Sequence, residues 1–214
     1  MDFLTENFVF LRESFLSFKT TGALFPTSRW SAEAMTRALR HPNRPPLRIL
    51  ELGPGTGSVT VQILADMVSG DTLTVCEINP RFMESLKERL GKDVRYVRHE
   101  ERVEFFLGPV QEMPEDGVYD LIVCAIPFLN LPPTVVEQIF AKLRRISTPE
   151  TLMTFFEYMG LKRIGKAMAR RDRRENLEQL EAFMKERVVG KRPQMERVWL
   201  NVLPVKVFTI KPAA

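Results

Sequence analysis

Cysteine and histidine are nearly absent from this chain: two of each occur among 214 residues. Cys76 and Cys124 each fall inside a strand-like apolar run. They read as buried thiols of a reducing, cytoplasmic setting, not as a disulfide framework. His41 and His99 are too few and too isolated to suggest a metal site. No apolar run approaches the ~18–20 residues of a membrane span, and no signal-peptide pattern is present. Internal repeats and low-complexity segments are absent too. What is there suffices for one domain with a core, since 44% of the residues are hydrophobic. The net charge of +4 is modestly basic, compatible with nucleic acid or an anionic membrane without choosing between them.

Periodicity organises the chain. The spacing predicts a helix over residues 3–18 and a second from about Ser31 to Leu39. The run His41-Pro-Asn-Arg-Pro-Pro46 stops the second. Strands and helices then alternate: Leu47–Leu52, Ser58–Met67, Thr72–Glu77, Arg81–Leu90. Val94–Val97 and Val103–Leu107 both look like strands where one is expected. Tyr119–Ala125 (strand), Pro133–Ile146 (helix) and Thr151–Tyr158 (strand) follow, then basic and helical segments to about Val189. Val198–Val202 and Val205–Ile210 read as an antiparallel pair around Pro204. Such alternation predicts an α/β fold, a Rossmann-like doubly wound, mostly parallel sheet with a C-terminal antiparallel strand pair. Residues 1–46 read as an N-terminal helical extension and residues 47–214 as the main domain.

The most informative run is Ile49-Leu-Glu-Leu-Gly-Pro-Gly-Thr-Gly57. A short apolar strand enters a loop with glycines at 53, 55 and 57, and a helix follows. Glycines at this spacing permit a sharp turn and close approach of a ligand to the backbone. The dinucleotide fingerprint needs Gly at 58, where Ser58 stands, and no Lys follows as in a phosphate-binding loop. Glu51 would repel a pyrophosphate and suits a ligand carrying a cation. Glu77, at the end of the second strand and twenty residues past Gly57, is placed to hold ribose hydroxyls.

Glu51, Gly53, Gly55 and Gly57 together resemble the first motif of the class I S-adenosylmethionine-dependent methyltransferases. The resemblance implies S-adenosylmethionine as cofactor, with S-adenosylhomocysteine as product and no metal. It implies a site of Glu51, the three glycines, Glu77, Ile78, Gln111 and Ala125. Gln111 substitutes for the polar residue usual after the Gly108 turn, where Pro109 stands.

The acceptor belongs beyond the carboxyl ends of the strands. Pro127 and Phe128 are expected beside the reacting methyl group. Methyltransferases acting on adenine or amide nitrogen carry Asn or Asp at the position of Ala125, which has no acceptor side chain. That lowers the expectation of a nucleobase. Leu4, Phe8, Leu11, Phe15 and Phe18 follow helical spacing, in a stretch holding five of the fifteen phenylalanines. Such a stripe can lie in a membrane interface or pack on its own domain. Between Gly160 and Arg174 seven cations face one acid, Asp172, without the interleaved aromatics that stack bases.

The order of these features looks like the bacterial phospholipid N-methyltransferases, which are similar in turn to the rRNA adenine dimethyltransferases. Its most specific parts are Lys19-Thr-Thr-Gly-Ala-Leu-Phe-Pro-Thr-Ser28-Arg29, the glycine motif, and Ile126-Pro-Phe-Leu-Asn-Leu-Pro132. The resemblance implies a peripheral enzyme of the inner membrane face that methylates the amine of phosphatidylethanolamine in up to three steps. An ornithine-containing lipid, an rRNA adenine and a non-catalytic cofactor-binding role are the alternatives. Tyr158, Glu157 and Asn130 are the polar candidates for handling the amine proton. Thr20, Thr21, Ser28 and Arg29 are candidates for the lipid phosphate and for covering the cofactor.

Overall fold

The computed structural model of the chain describes residues 27–128, 131–159, 171–189 and 194–212. The expected helix over residues 3–18, most of the cationic stretch, and Thr20, Thr21 and Asn130 lie outside them. The first described helix, α1 (Arg29–Met35), starts earlier than expected. Ser28 caps it, its hydroxyl accepting the Ser31 N–H at 3.2 Å. Ser31, where the helix was expected to begin, lies buried inside the first turn. A single 3-10 turn, Arg37–Arg40, replaces the predicted end of this helix.

The strands β1 (Arg48–Leu52), β2 (Thr72–Glu77), β3 (Val103–Leu107), β4 (Tyr119–Cys124) and β5 (Ser147–Tyr158) pair in parallel. Helices α2 (Ser58–Asp66), α3 (Pro80–Leu90) and α5 (Pro133–Arg145) form the crossovers. The short α4 (Val94–His99) stands where a second strand-like run was expected. Asp93 caps it through the Arg95 N–H at 2.9 Å, and Val94 and Val97 stay exposed. A helix α6 (Arg171–Phe183) precedes β6 (Gln194–Val198) and β7 (Val205–Ile210). The antiparallel pair is present, but β6 ends where the predicted strand Val198–Val202 was to begin. Its mostly exposed residues are those of an edge strand, so no alternation marked it.

Among the described residues the sheet has seven strands in the order β3-β2-β1-β4-β5-β7-β6. Only β7 runs against its neighbours. The expected doubly wound α/β fold is observed. Alternate residues of each strand feed two cores. Leu50, Ile122, Met153 and Phe155 meet α5 and α6 on one face. Ile49, Val75, Leu121 and Val123 meet α1, α2 and α3 on the other. α1 is built into the second core through Ala32 and Met35, and the Thr154 hydroxyl donates to the Met35 carbonyl at 2.8 Å. Strand order reverses between β1 and β4, so the crevice beyond their carboxyl ends is where a doubly wound sheet takes its ligand.

At the opposite end of the sheet, Asp71 organises the entry to β1 and β2. Its carboxylate accepts from Arg44 at 2.6 and 2.7 Å, and from the Leu47 and Val68 N–H groups at 2.8 Å each. Burial pushes its pKa up, but these four donors more than offset that and hold it below the usual 3.8. Its stabilising contribution is therefore present above the usual aspartate range and is lost as pH falls through the lowered value. Asp71→Ala leaves Arg44 buried without its partner. We expect it to cost about 3–5 kcal/mol in urea denaturation at neutral pH, with the difference from wild type shrinking in acid.

Candidate functional site

The loop between β1 and α2 takes its shape from three residues in the left-handed region. Gly53, Gly55 and Gly57 have φ of 68°, 54° and 79°. Each glycine answers to a different neighbour. The Gly53 N–H extends the β2 pairing by donating to the Cys76 carbonyl at 2.9 Å, and a Cβ there would press on Ile126 at 3.1 Å. At Gly57 a Cβ would sit 2.4 Å from Leu86 of α3. At Gly55 a Cβ would meet nothing within 4 Å. So Gly53 and Gly57 seat the loop, while Gly55 fronts open space at the carboxyl end of β1. Arg89 holds the loop from outside by donating to the Thr56 carbonyl.

Glu77 closes the loop from below. One oxygen accepts the Gly55 N–H at 3.3 Å and the other the Asn79 N–H at 2.9 Å. Burial raises its pKa, and the backbone donors of Asn79, Gly55 and Ile78 pull it back in part. Asn79 caps α3 through the Arg81 N–H at 3.0 Å, with Pro80 at the first helical position. Gly108 donates to the Glu77 carbonyl at 3.0 Å. That contact brings the turn carrying half-buried Gln111 beside the end of β2, next to half-buried Ile78.

Glu51 is fully buried, and among the described residues neither of its oxygens has a hydrogen-bond partner. Burial pushes its pKa from 4.5 to about 8. The Thr60 hydroxyl of α2 is near enough to lower it but falls short of hydrogen-bond geometry, and the Glu77 charge raises it. A carboxyl left in this state calls for a cation.

β4 delivers the acceptor side. The Ala125 N–H donates to the Leu52 carbonyl at 2.8 Å, so Ala125 and Ile126 back directly onto Gly53. Pro127 stays half-exposed. Phe128 does not stand at the crevice as expected. Its ring is buried between Phe140 and Phe155, at centroid distances of 5.2 and 6.0 Å. Two of the three polar candidates, Glu157 and Tyr158, lie on opposite faces of the sheet. Successive strand residues face opposite ways. Tyr158 lies with Phe156 on the face that carries Glu51, and Glu157 lies on the face of Phe155. Burial raises the Tyr158 phenol above its usual value, so at neutral pH it can donate a proton but not take one. Ser28 serves as a helix cap, and its own N–H donates to Asn201 at 2.9 Å. The Arg29 side chain, largely exposed, pairs with Glu33 at 2.7 Å. Burial raises both cysteine thiols, Cys124 to about 12, and both are free.

Sequence reasoning missed Thr60, Ile126 and Asn201. Thr60 carried one readable signal, a polar residue three positions past the last glycine, on the helix turn that must cover Glu51. Ile126 and Asn201 act through contacts across the fold and had none.

Two features test whether S-adenosylmethionine fits. An unpartnered buried carboxyl is available for the ligand's ammonium group, and the glycine at the centre of the loop opens onto space that a side chain would fill. Glu77 stands beside that space for the ribose. The residues fit.

Comparison with known proteins agrees. Residues 49–150 match the family described as a methyltransferase domain. An ornithine lipid N-methyltransferase of Singulisphaera acidiphila is 26% identical over 66% of this chain and 72% of that protein. The squalestatin hexaketide synthase of a Phoma species is 29% identical over 50% of this chain, which spans only 4% of that synthase's length. An O-methyltransferase from Bacillus cereus, solved in complex with S-adenosylhomocysteine, superposes with a TM-score of 0.59. It shares 14% identity over 95% of this chain and 90% of that one. The fold is that of the class I S-adenosylmethionine-dependent methyltransferases. Residues 49–150 match a methyltransferase domain, and the cofactor that this match and the Bacillus cereus neighbour support is S-adenosylmethionine.

The state of Glu51 has measurable consequences. Between pH 4.5 and 8 the ligand-free folded protein keeps a proton that the unfolded chain has released. This group's contribution to stability therefore falls as pH rises through that window. Glu51→Gln is expected to raise the melting temperature of the ligand-free protein at pH 8 and to weaken S-adenosylmethionine binding. Wild-type affinity, followed by calorimetry, should rise from pH 6 towards 8 with proton release. It should level off where the ligand's own α-ammonium, of pKa near 8, begins to lose its charge. The variant should show neither the rise nor the release.

Proposed function

We propose that this chain is an N-methyltransferase acting on the amino headgroup of a membrane lipid. The observation that carries the reading is the match to the ornithine lipid N-methyltransferase, which covers about two thirds of this chain and nearly three quarters of that protein. Of the two aminolipids considered, it favours an ornithine-containing lipid over phosphatidylethanolamine. Ala125 supports the same direction, because it offers no side-chain acceptor to a planar nucleobase amine. The setting that goes with it is peripheral, at the cytoplasmic face of the membrane.

Bound at the glycine loop, S-adenosylmethionine supplies an electrophilic methyl group on a sulfonium. The residues of this chain have three tasks there. Glu51 and Glu77 orient the cofactor by its two polar ends. Ala125, Ile126 and Pro127 wall the crevice at the end of β4 and exclude water from it. The third task concerns the acceptor amine, whose pKa near 10 keeps it protonated in water. It must shed that proton before it becomes a nucleophile. Desolvation beside a cation lowers the pKa, so water can remove the proton without a strong base. Tyr158 then offers its ring face to the cationic, methylated nitrogen.

Incubation of labelled cofactor with vesicles of ornithine lipid, vesicles of phosphatidylethanolamine, and rRNA, each separately, tests the reading. Label should enter a lipid headgroup amine, with Glu77→Ala reducing the rate at least about tenfold. Label in RNA alone, or in no aminolipid, overturns it.

A further inference from the structure

Exposed large apolar side chains are ordinary when scattered singly. The tip of the β6–β7 hairpin departs from that pattern. Trp199, Leu200 and Val202 are 63%, 60% and 61% exposed within one short loop. Asn201, between them, is spent internally. It accepts the Ser28 N–H at 2.9 Å and donates to the Leu203 carbonyl at 2.8 Å. Its bond to Ser28 draws the start of α1 to the same tip. Two residues on, Trp30 is 52% exposed. Trp30 and Trp199 are the only tryptophans in the chain.

The position of this patch matters. Val198 and Val205 close the mouth of the hairpin, and Val205 pairs with Tyr158, the last residue of β5. The tip therefore projects beyond the carboxyl ends of the parallel strands, the edge of the sheet that holds the glycine loop. Charge supplies the second argument. The Met159 N–H donates to the Pro204 carbonyl at 2.7 Å. The stretch with seven cations and one acid begins in the sequence directly after that contact. The phenylalanine-rich residues 1–26 likewise join the described chain beside Ser28. In the sequence, the cationic run thus follows directly on a residue that is hydrogen-bonded to the hairpin.

We propose that the hairpin tip, with Trp30, seats the domain on an anionic phospholipid bilayer. The proposal rests on the aminolipid reading and adds the surface through which the domain reaches its substrate. Tryptophan is well suited to the role, having an apolar body and one N–H that favours the wet headgroup region. With the Asn201 side chain satisfied within the protein, the loop carries that amide into the interface without an unmet hydrogen bond.

Both tryptophans lie in the patch, so intrinsic fluorescence reports on it directly. Mixing the full chain with vesicles of phosphatidylglycerol and phosphatidylethanolamine should shift the emission to the blue. Brominated acyl chains should quench it. Leu200→Ser with Val202→Ser changes only exposed side chains. It should weaken vesicle partition by about tenfold or more, while calorimetry shows cofactor binding unchanged. Three results overturn the proposal. One is co-sedimentation with vesicles and unaltered emission. Another is emission that is already blue without lipid and moves to the red when residues 1–26 are deleted, which makes that segment the occupant. The third is a dimer in lipid-free solution that the double variant abolishes, which makes a second copy the occupant. Blue shift and quenching without methyl transfer to any aminolipid would uphold the docking surface and defeat the acceptor reading alone.

Discussion

Two buried carboxyl groups at the ends of neighbouring parallel strands, Glu51 and Glu77, set the terms for the rest of this structure. An ionised carboxylate away from water is costly unless donors surround it. Glu77 recovers part of that cost from the backbone of Gly55, Ile78 and Asn79. Glu51 recovers almost none, and it sits uncharged at neutral pH in the ligand-free protein. As a device for stability this is poor; replacing the group would help the fold. As a device for binding a cationic ligand it is apt, because arrival of the cation converts an unfavourable group into a favourable one. The three left-handed glycines serve the same end. Two let the loop lie close against β4 and α3, and the third leaves the room that the ligand needs.

Much of this was legible in the chain because backbone geometry restricts residue choice. Positive φ at 53, 55 and 57 requires glycine, and acids ending two adjacent strands showed in the apolar pattern around them. β2 and β3 have the bounds that their alternation predicts. The misreadings have local causes. Val94 and Val97 suggested a strand, yet Asp93 is a helix cap and leaves both valines facing water. β6 is polar because it lies at an edge, so the apolar hairpin tip beyond it was taken for the strand. Ser28 and Ser31 both suit a helix start, and it is the Ser28 hydroxyl that caps the helix by accepting the Ser31 N–H.

The acceptor side was harder to read for a different reason. Cofactor residues recur at fixed spacing, while acceptor residues come from strand ends, loops and helices far apart in sequence. Phe128 looked like a pocket wall because it follows Pro127, but the chain turns it into the core against Phe140 and Phe155. Glu157 and Tyr158 were both candidates because they end a strand, and adjacency in that strand puts them on opposite faces. Likeness of fold cannot repair this, since one sheet architecture carries many chemistries. The choice of an aminolipid depends instead on a relative of similar span and on what Ala125 lacks.

The most direct test of the central claim is a crystal structure of the protein with S-adenosylhomocysteine, at a pH below 8. The ligand should lie across Gly55, its ammonium group paired with Glu51 and its ribose hydroxyls with Glu77. A ligand bound elsewhere, or one that leaves the Glu51 carboxyl without a partner, would contradict the role assigned to these two acids.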